Sequence, residues 1–230
     1  MRRLRMTDGT EPHLRAARYH MAKCQKPGPA LHAELRVEVT AKFNQLKTKC
    51  RLVEDARTEA VDATAAADEA ELALEDLLRD IDSDLGKLDR EDPSMNARAT
   101  VFPNGFGAAI APEGDEQVEA LTKLRVRLAV FSSNPIVASA LTKLDAAETA
   151  LRDALKVEAA AEKKVDGLFA EELEARREIR EQLESAFGRL RDLYKARPAV
   201  VERFFLREIG GRKRTEPPVK APPAEGGHPA

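Results

Sequence analysis

Apolar residues return at every third or fourth position along two long stretches of the chain, roughly 31–91 and 136–197, with polar residues between them. The first series runs Leu35, Val39, Phe43, Leu46, Cys50, Val53, Ala60, Ala63, Ala67, Ala70, Leu74, Leu77, Ile81, Leu85 and Leu88. Between Val53 and Ala60 the place is filled by Ala56 or by nothing apolar. The second runs Val137, Leu141, Leu144, Ala147, Leu151, Leu155, Ala161, Val165 and Leu168, turns polar at Glu172 and Arg176, and resumes at Ile179, Leu183, Ala186, Leu190 and Leu193. Alternating steps of three and four average about 3.5, the repeat of helices wound along one another rather than of a lone amphipathic helix. At about 60 residues each helix would be ~90 Å long. Such a helix needs a partner along its length.

The two stretches mirror each other about a loop-rich centre, so each is the expected partner of the other. The expected fold is all-α: a long antiparallel helical hairpin, coiled-coil-like, with short helices packed at both ends. Folding the chain about Gly114 sets the alanines around Ala66 level with those around Ala160. Small side chains at one height let two helix axes approach closely.

Prolines and glycines divide the rest. A short helix is expected from Leu14 to Cys24, ending before Pro27-Gly28-Pro29. The first long helix stops before Pro93, because the residue preceding a proline resists helical geometry. Residues 93–115 form the turn region, with the apolar, glycine-containing segment Val101–Pro112 at its heart. A helix follows over about 116–131, then Ser132-Ser133-Asn134-Pro135, in which Ser133 or Asn134 caps the second long helix and Pro135 takes its first position. Pro198 closes that helix, and a last one is expected at about 199–209 before Gly210-Gly211. The organisation read from this is a basic segment at 1–29, an elongated helical bundle at 30–209, and a Pro/Gly-rich tail at 210–230 that is disordered by composition.

Composition fits long helices: charged residues make up 34%, aromatics 4%, and tryptophan is absent. Stability must then come from a long seam of Leu and Ala rather than a bulky centre. Net charge is −2, which gives the whole molecule no pull toward nucleic acid or anionic membrane. The charge is uneven, however. Residues 54–92 are acidic, whereas 1–26 and Arg189–Arg214 are basic. In a hairpin the basic segments share one end and the acidic segment lies toward the other. Two cysteines, Cys24 and Cys50, make no disulfide framework, and Cys50 falls on the apolar stripe as a small core residue. No apolar run reaches membrane-spanning length, and the N-terminal arginines precede no apolar signal core, so a cytoplasmic protein is expected. Met6 and Met21 stand beside Met1 as candidate starts.

The segment Val101–Pro112 is too apolar for a solvent-exposed turn, and a second apolar cluster lies near the end of the chain. Phe102, Phe106 and Ile110 lie in the turn region; Phe204 and Phe205 lie in the last helix with the densest aromatics of the chain. Each is expected to close its end of the hairpin, the first with helix 116–131 and the second against Leu14 and Tyr19. Each is also the candidate contact surface for a partner or a membrane. His13, His20 and Cys24 share a helix face but lack a further ligand for a metal site, and they are expected at the surface. His32 and His228 have no evident partners. Glu-x-x-His pairs of di-iron bundles are absent from both long stretches, and no phosphate loop, nucleophile elbow or zinc-protease motif occurs. No catalytic residue, cofactor site or metal site is therefore assigned.

The expected function is non-catalytic: a structural, scaffold or adaptor protein binding another, unidentified protein through an end of the rod. Apolar positions such as Leu72, Leu78, Val157, Phe169 and Phe187 lie off the main stripe, where short helices or a second copy in a homodimer would cover them. One alternative is a membrane-active helical protein using residues 101–112. Another is nucleic-acid association through the basic ends, against which the acidic 54–92 stretch counts.

Overall fold

The computed structural model describes residues 4–5 and 7–206. Among them the regular structure is entirely helical: α1 (Thr10–Cys24), α2 (Ala30–Glu91), α3 (Ala97–Val101), α4 (Phe106–Ile110), α5 (Gly114–Ala129), α6 (Pro135–Leu193) and α7 (Pro198–Glu202). The two long helices α2 and α6 run antiparallel as a hairpin, with the short helices packed against them. The chain divides into two compact units, Lys47–Glu174 and the joined ends Met1–Leu46 with Ala175–Ala230. The proposed tail at 210–230 lies outside the described residues.

The helix ends follow local chemistry. The Asn134 side chain accepts the Ile136 N–H at 2.9 Å, capping α6 with Pro135 in its first position. Beyond α2, Asn96 turns the chain in the left-handed region at φ 48, where a short polar side chain is tolerated. Gly105 and Gly114 also take positive φ, at 84 and 56, which glycine adopts without strain. The turn region is thus more ordered than a loop: it holds α3 and α4, and both pack on α5.

In the unit Lys47–Glu174 the core is built from Leu74, Leu78, Ile81, Leu85 and Leu88 of α2, Leu121, Leu124 and Leu128 of α5, and Val137, Leu144 and Leu151 of α6. Each such leucine gains about 1.5–3 kcal/mol on leaving water. Toward the other limit of this unit only two helices remain, and the buried α2 residues shrink to Val53, Ala56, Ala63 and Ala67. Polar side chains flank this narrow seam: Lys49 pairs with Glu171, Glu59 with Lys164, and Thr64 donates to Glu158 at 2.7 Å. These three pairs are offset by up to about a turn and a half from the alignment of Ala66 with Ala160, whereas Arg57 over Phe169 falls on it. Both alanines are exposed. An apolar stripe repeats at nearly every turn, so a slide of one turn keeps it facing its partner; the charged flanks are what distinguish the registers.

In the joined ends, Leu35, Val39 and Leu46 of α2 and Ala175, Ile179, Leu183, Ala186 and Leu190 of α6 form the seam. Leu14, Ala17 and Cys24 of α1 and Val201, Phe204 and Phe205 at α7 cover it. Glu38 receives two donors across this seam, Gln182 at 2.7 Å and Arg189 at 2.9 Å. Cys50 is only half-buried. Of the residues off the main stripe, Leu78 is fully buried while Leu72 and Val157 are exposed. Phe187 packs on Phe205, and Phe169 lies under the Arg57 guanidinium.

Candidate interaction surfaces

The first candidate surface lies in the unit Lys47–Glu174. Phe102, at the end of α3, is buried, and its ring meets Phe106 edge-on with centroids 5.9 Å apart. Phe106 and Ile110, both in α4, are half-buried against the same core. Between the 101–112 segment and α5 runs an open groove of about 430 Å³. Phe102, Leu121 and Leu124 form its floor, and Pro103, Ala108 and Pro112 one wall. Its α5 rim carries Glu116 and Glu119, then Lys123 and Arg127, so the rim is acidic toward the start of the helix and basic toward its end.

Carboxylates from α2 and α6 hold this arrangement. Asp89 accepts the backbone N–H of Ala97 at 2.5 Å and of Arg98 at 3.0 Å, so a side chain of α2 caps α3. Arg98 forks onto Asp82 through Nε and an Nη, each at 2.6 Å. Glu71 accepts the Gly114 N–H at 2.7 Å, which satisfies the first turn of α5 and places a negative charge at its N-terminus. Glu148, buried on α6, pairs with Arg125 of α5 and with Arg152 of its own helix at 2.6 Å, and Arg125 also reaches Asp145 at 2.9 Å. In the sequence Glu71, Asp82 and Asp89 are simply members of the acidic stretch 54–92, and Glu148 has nothing to mark it. Their spacing matches the apolar stripe's neighbours, but nothing in one helix announces which of them meets a helix end 8 to 43 positions away.

The second candidate surface lies in the joined ends. Phe204 and Phe205 are buried in the core with Leu14, and the Tyr19 hydroxyl donates to the Arg203 carbonyl at 3.4 Å. The histidines differ from expectation. His13, His20 and Cys24 are buried rather than at the surface, because α1 lies with this face against the hairpin, and His32 of α2 is buried as well. His20 Nδ1–H donates to the Phe204 carbonyl at 3.3 Å, which leaves Nε2 as the acceptor for the Cys24 thiol at 3.4 Å. His32 Nε2 meets the Tyr194 hydroxyl at 2.9 Å, and its ring stands edge-on to Phe204 with centroids 4.8 Å apart. Burial pushes His20 down to about 4 and the Cys24 thiol up to about 11, and lowers His32 below its ordinary value. His13 is also lowered, chiefly by burial, with Arg176 and Arg180 acting in the same direction.

Among the described residues no group of three or more His, Cys, Asp and Glu is placed to hold a metal ion. Nor is any helix among them long and apolar enough to cross a membrane. Compared with family models, with characterised proteins and with solved structures, the chain shows no match.

Proposed function

We propose that this protein is a non-catalytic adaptor or scaffold that holds a short segment of a partner protein in the groove beside α5. The observation that carries this reading is the groove itself: an apolar floor of Phe102, Leu121 and Leu124 with a two-sign rim. A segment with two or three apolar side chains fits the floor. Basic residues toward the start of α5 and acidic residues toward its end would complement Glu116 and Glu119 at one end and Lys123 and Arg127 at the other. The walls are set by packed elements and by the Asp89 and Glu71 caps, so the groove is formed before a partner arrives. Preformed sites bind with less ordering cost. The floor and wall offer aromatic, aliphatic and proline surface, which suits recognition rather than bond chemistry. Cytoplasmic placement belongs to the same reading.

Photo-reactive residues placed at Ala108 and Ala120 in the groove, and at Leu173 as a control, test it in cells. The expected result is one partner cross-linked from both groove positions and not from the control. The purified pair should then rebind, and Leu124→Glu should weaken that binding at least about tenfold. Cross-links no more selective than those from Leu173 would end the proposal. Recovery of lipid rather than protein adducts would transfer the groove to the membrane-active alternative.

A further inference from the structure

The joined ends carry a feature that the groove does not use: three buried histidines that face the seam between the short helices and the hairpin. Two of them grip the same residue. His20 on α1 donates to the Phe204 carbonyl, and its ring stacks at a tilt on Phe205 with centroids 5.0 Å apart. His32 on α2 presses edge-on against the Phe204 ring and meets Tyr194, just past α6. We propose that this cluster is an acid-sensitive latch: protonation of His20 and His32 releases α1 and α7 from the hairpin and uncovers Phe204 and Phe205.

The hydrogen bonds work only for neutral rings. With His20 Nδ1–H committed to a carbonyl, a second proton would have to sit on Nε2, facing the Cys24 thiol that donates to it. His32 Nδ1 is buried without a hydrogen-bond partner, so a cation there would carry an N–H with nothing to accept it. The two rings would also repel each other across Phe204 once charged. The groups that face them are Cys24 from α1, Tyr194 just past α6, the Phe204 carbonyl from the turn after α7, and Arg36 of α2, whose charge acts on Cys24. None is a carboxylate that would stabilise an imidazolium. His13, further along α1, faces Arg176 and Arg180 of α6 as well as Asp8, and the two arginines oppose its protonation.

The direction follows from the lowered values. A histidine depressed in the folded state binds fewer protons there than in the opened state, so closure is strongest above 6.5 and weakens as pH falls from 6.5 toward about 4. Hydrogen exchange, corrected for intrinsic pH effects, should show opening of α1 and α7 rising at least about tenfold between pH 6.5 and 5. Exchange in α5, which contains no histidine, should change far less. His20→Gln keeps a donor for the Phe204 carbonyl and an acceptor for Cys24 without titrating, and should remove most of the rise. NMR titration of the wild-type imidazoles decides the matter independently of any variant. A His20 midpoint below about 5 supports the latch, whereas a midpoint near its ordinary 6.5, or equal opening of α1, α7 and α5, overturns it.

Discussion

Burial at single positions separates residues that the sequence pattern treats alike. Leu72 and Leu74 stand two apart on one helix, yet Leu72 is 59% exposed and Leu74 is 0% exposed. Leu74→Ala should therefore cost about 3 kcal/mol in urea denaturation, from lost transfer energy and the cavity left behind. Leu72→Ala should stay within about 0.5 kcal/mol. Equal losses would mean that Leu72 is covered in solution, as in a homodimer. Glu148 is a sharper case: it is buried, and two arginines converge on it. Because both arginines keep substantial contact with water, the pair is worth less than a fully desolvated one, and Glu148→Ala is expected to cost about 2 kcal/mol. A double-mutant cycle with Arg125→Ala measures the shared part, and additivity within about 0.3 kcal/mol would show that the two side chains do not cooperate.

The elements owe their limits to two kinds of signal. Proline, asparagine and glycine end or start helices through their own backbone, and two of these signals were legible: Pro93 follows the end of α2, and Asn134 with Pro135 starts α6, whereas α6 ends at Leu193, short of the expected stop at Pro198, which instead begins α7. The starts of α3 and α5 are set otherwise, by carboxylates reaching over from α2. α3 is five residues long, too short to be stable alone, so its existence depends on Asp89, on Arg98 bound to Asp82, and on burial of Ala97 and Val101. Asp89→Ala should cost about 1 kcal/mol and speed hydrogen exchange at Thr100 and Phe102 while leaving α5 protected. Glu71→Ala should do the reverse, acting on the first turn of α5. If each substitution loosened both helices equally, capping would not be the cause. The last helix was expected to reach 209 but α7 ends at Glu202, where the Arg203 and Phe204 N–H groups bond back to Val200 and Val201; residues past 206 lie outside the described part.

At the scale of the molecule, register is the property to test. In a Cys50→Ala background, Thr64→Cys with Glu158→Cys should link through a short bismaleimide, and Ala66→Cys with Ala160→Cys should link at least about threefold less, because Thr64 and Glu158 meet across the seam whereas both alanines are exposed. The opposite ranking would restore the alanine-matched register. The sequence by itself determined the all-helical class, the two long antiparallel helices, the limits set by Pro93 and Pro135, and the packing of Phe102 and Phe204 into the cores. Those features rest on periodicity and backbone stereochemistry, which act over a few residues. Only the tertiary structure decided the register, the capping of α3 and α5 by Asp89 and Glu71, the burial of Glu148, and the inward face of the α1 histidines. An apolar stripe tolerates a slide of one turn, and a carboxylate or imidazole reads as solvated until a helix far along the chain is brought against it. What such a group does is then fixed by the donor or cation it meets, and that meeting is a property of the packed molecule.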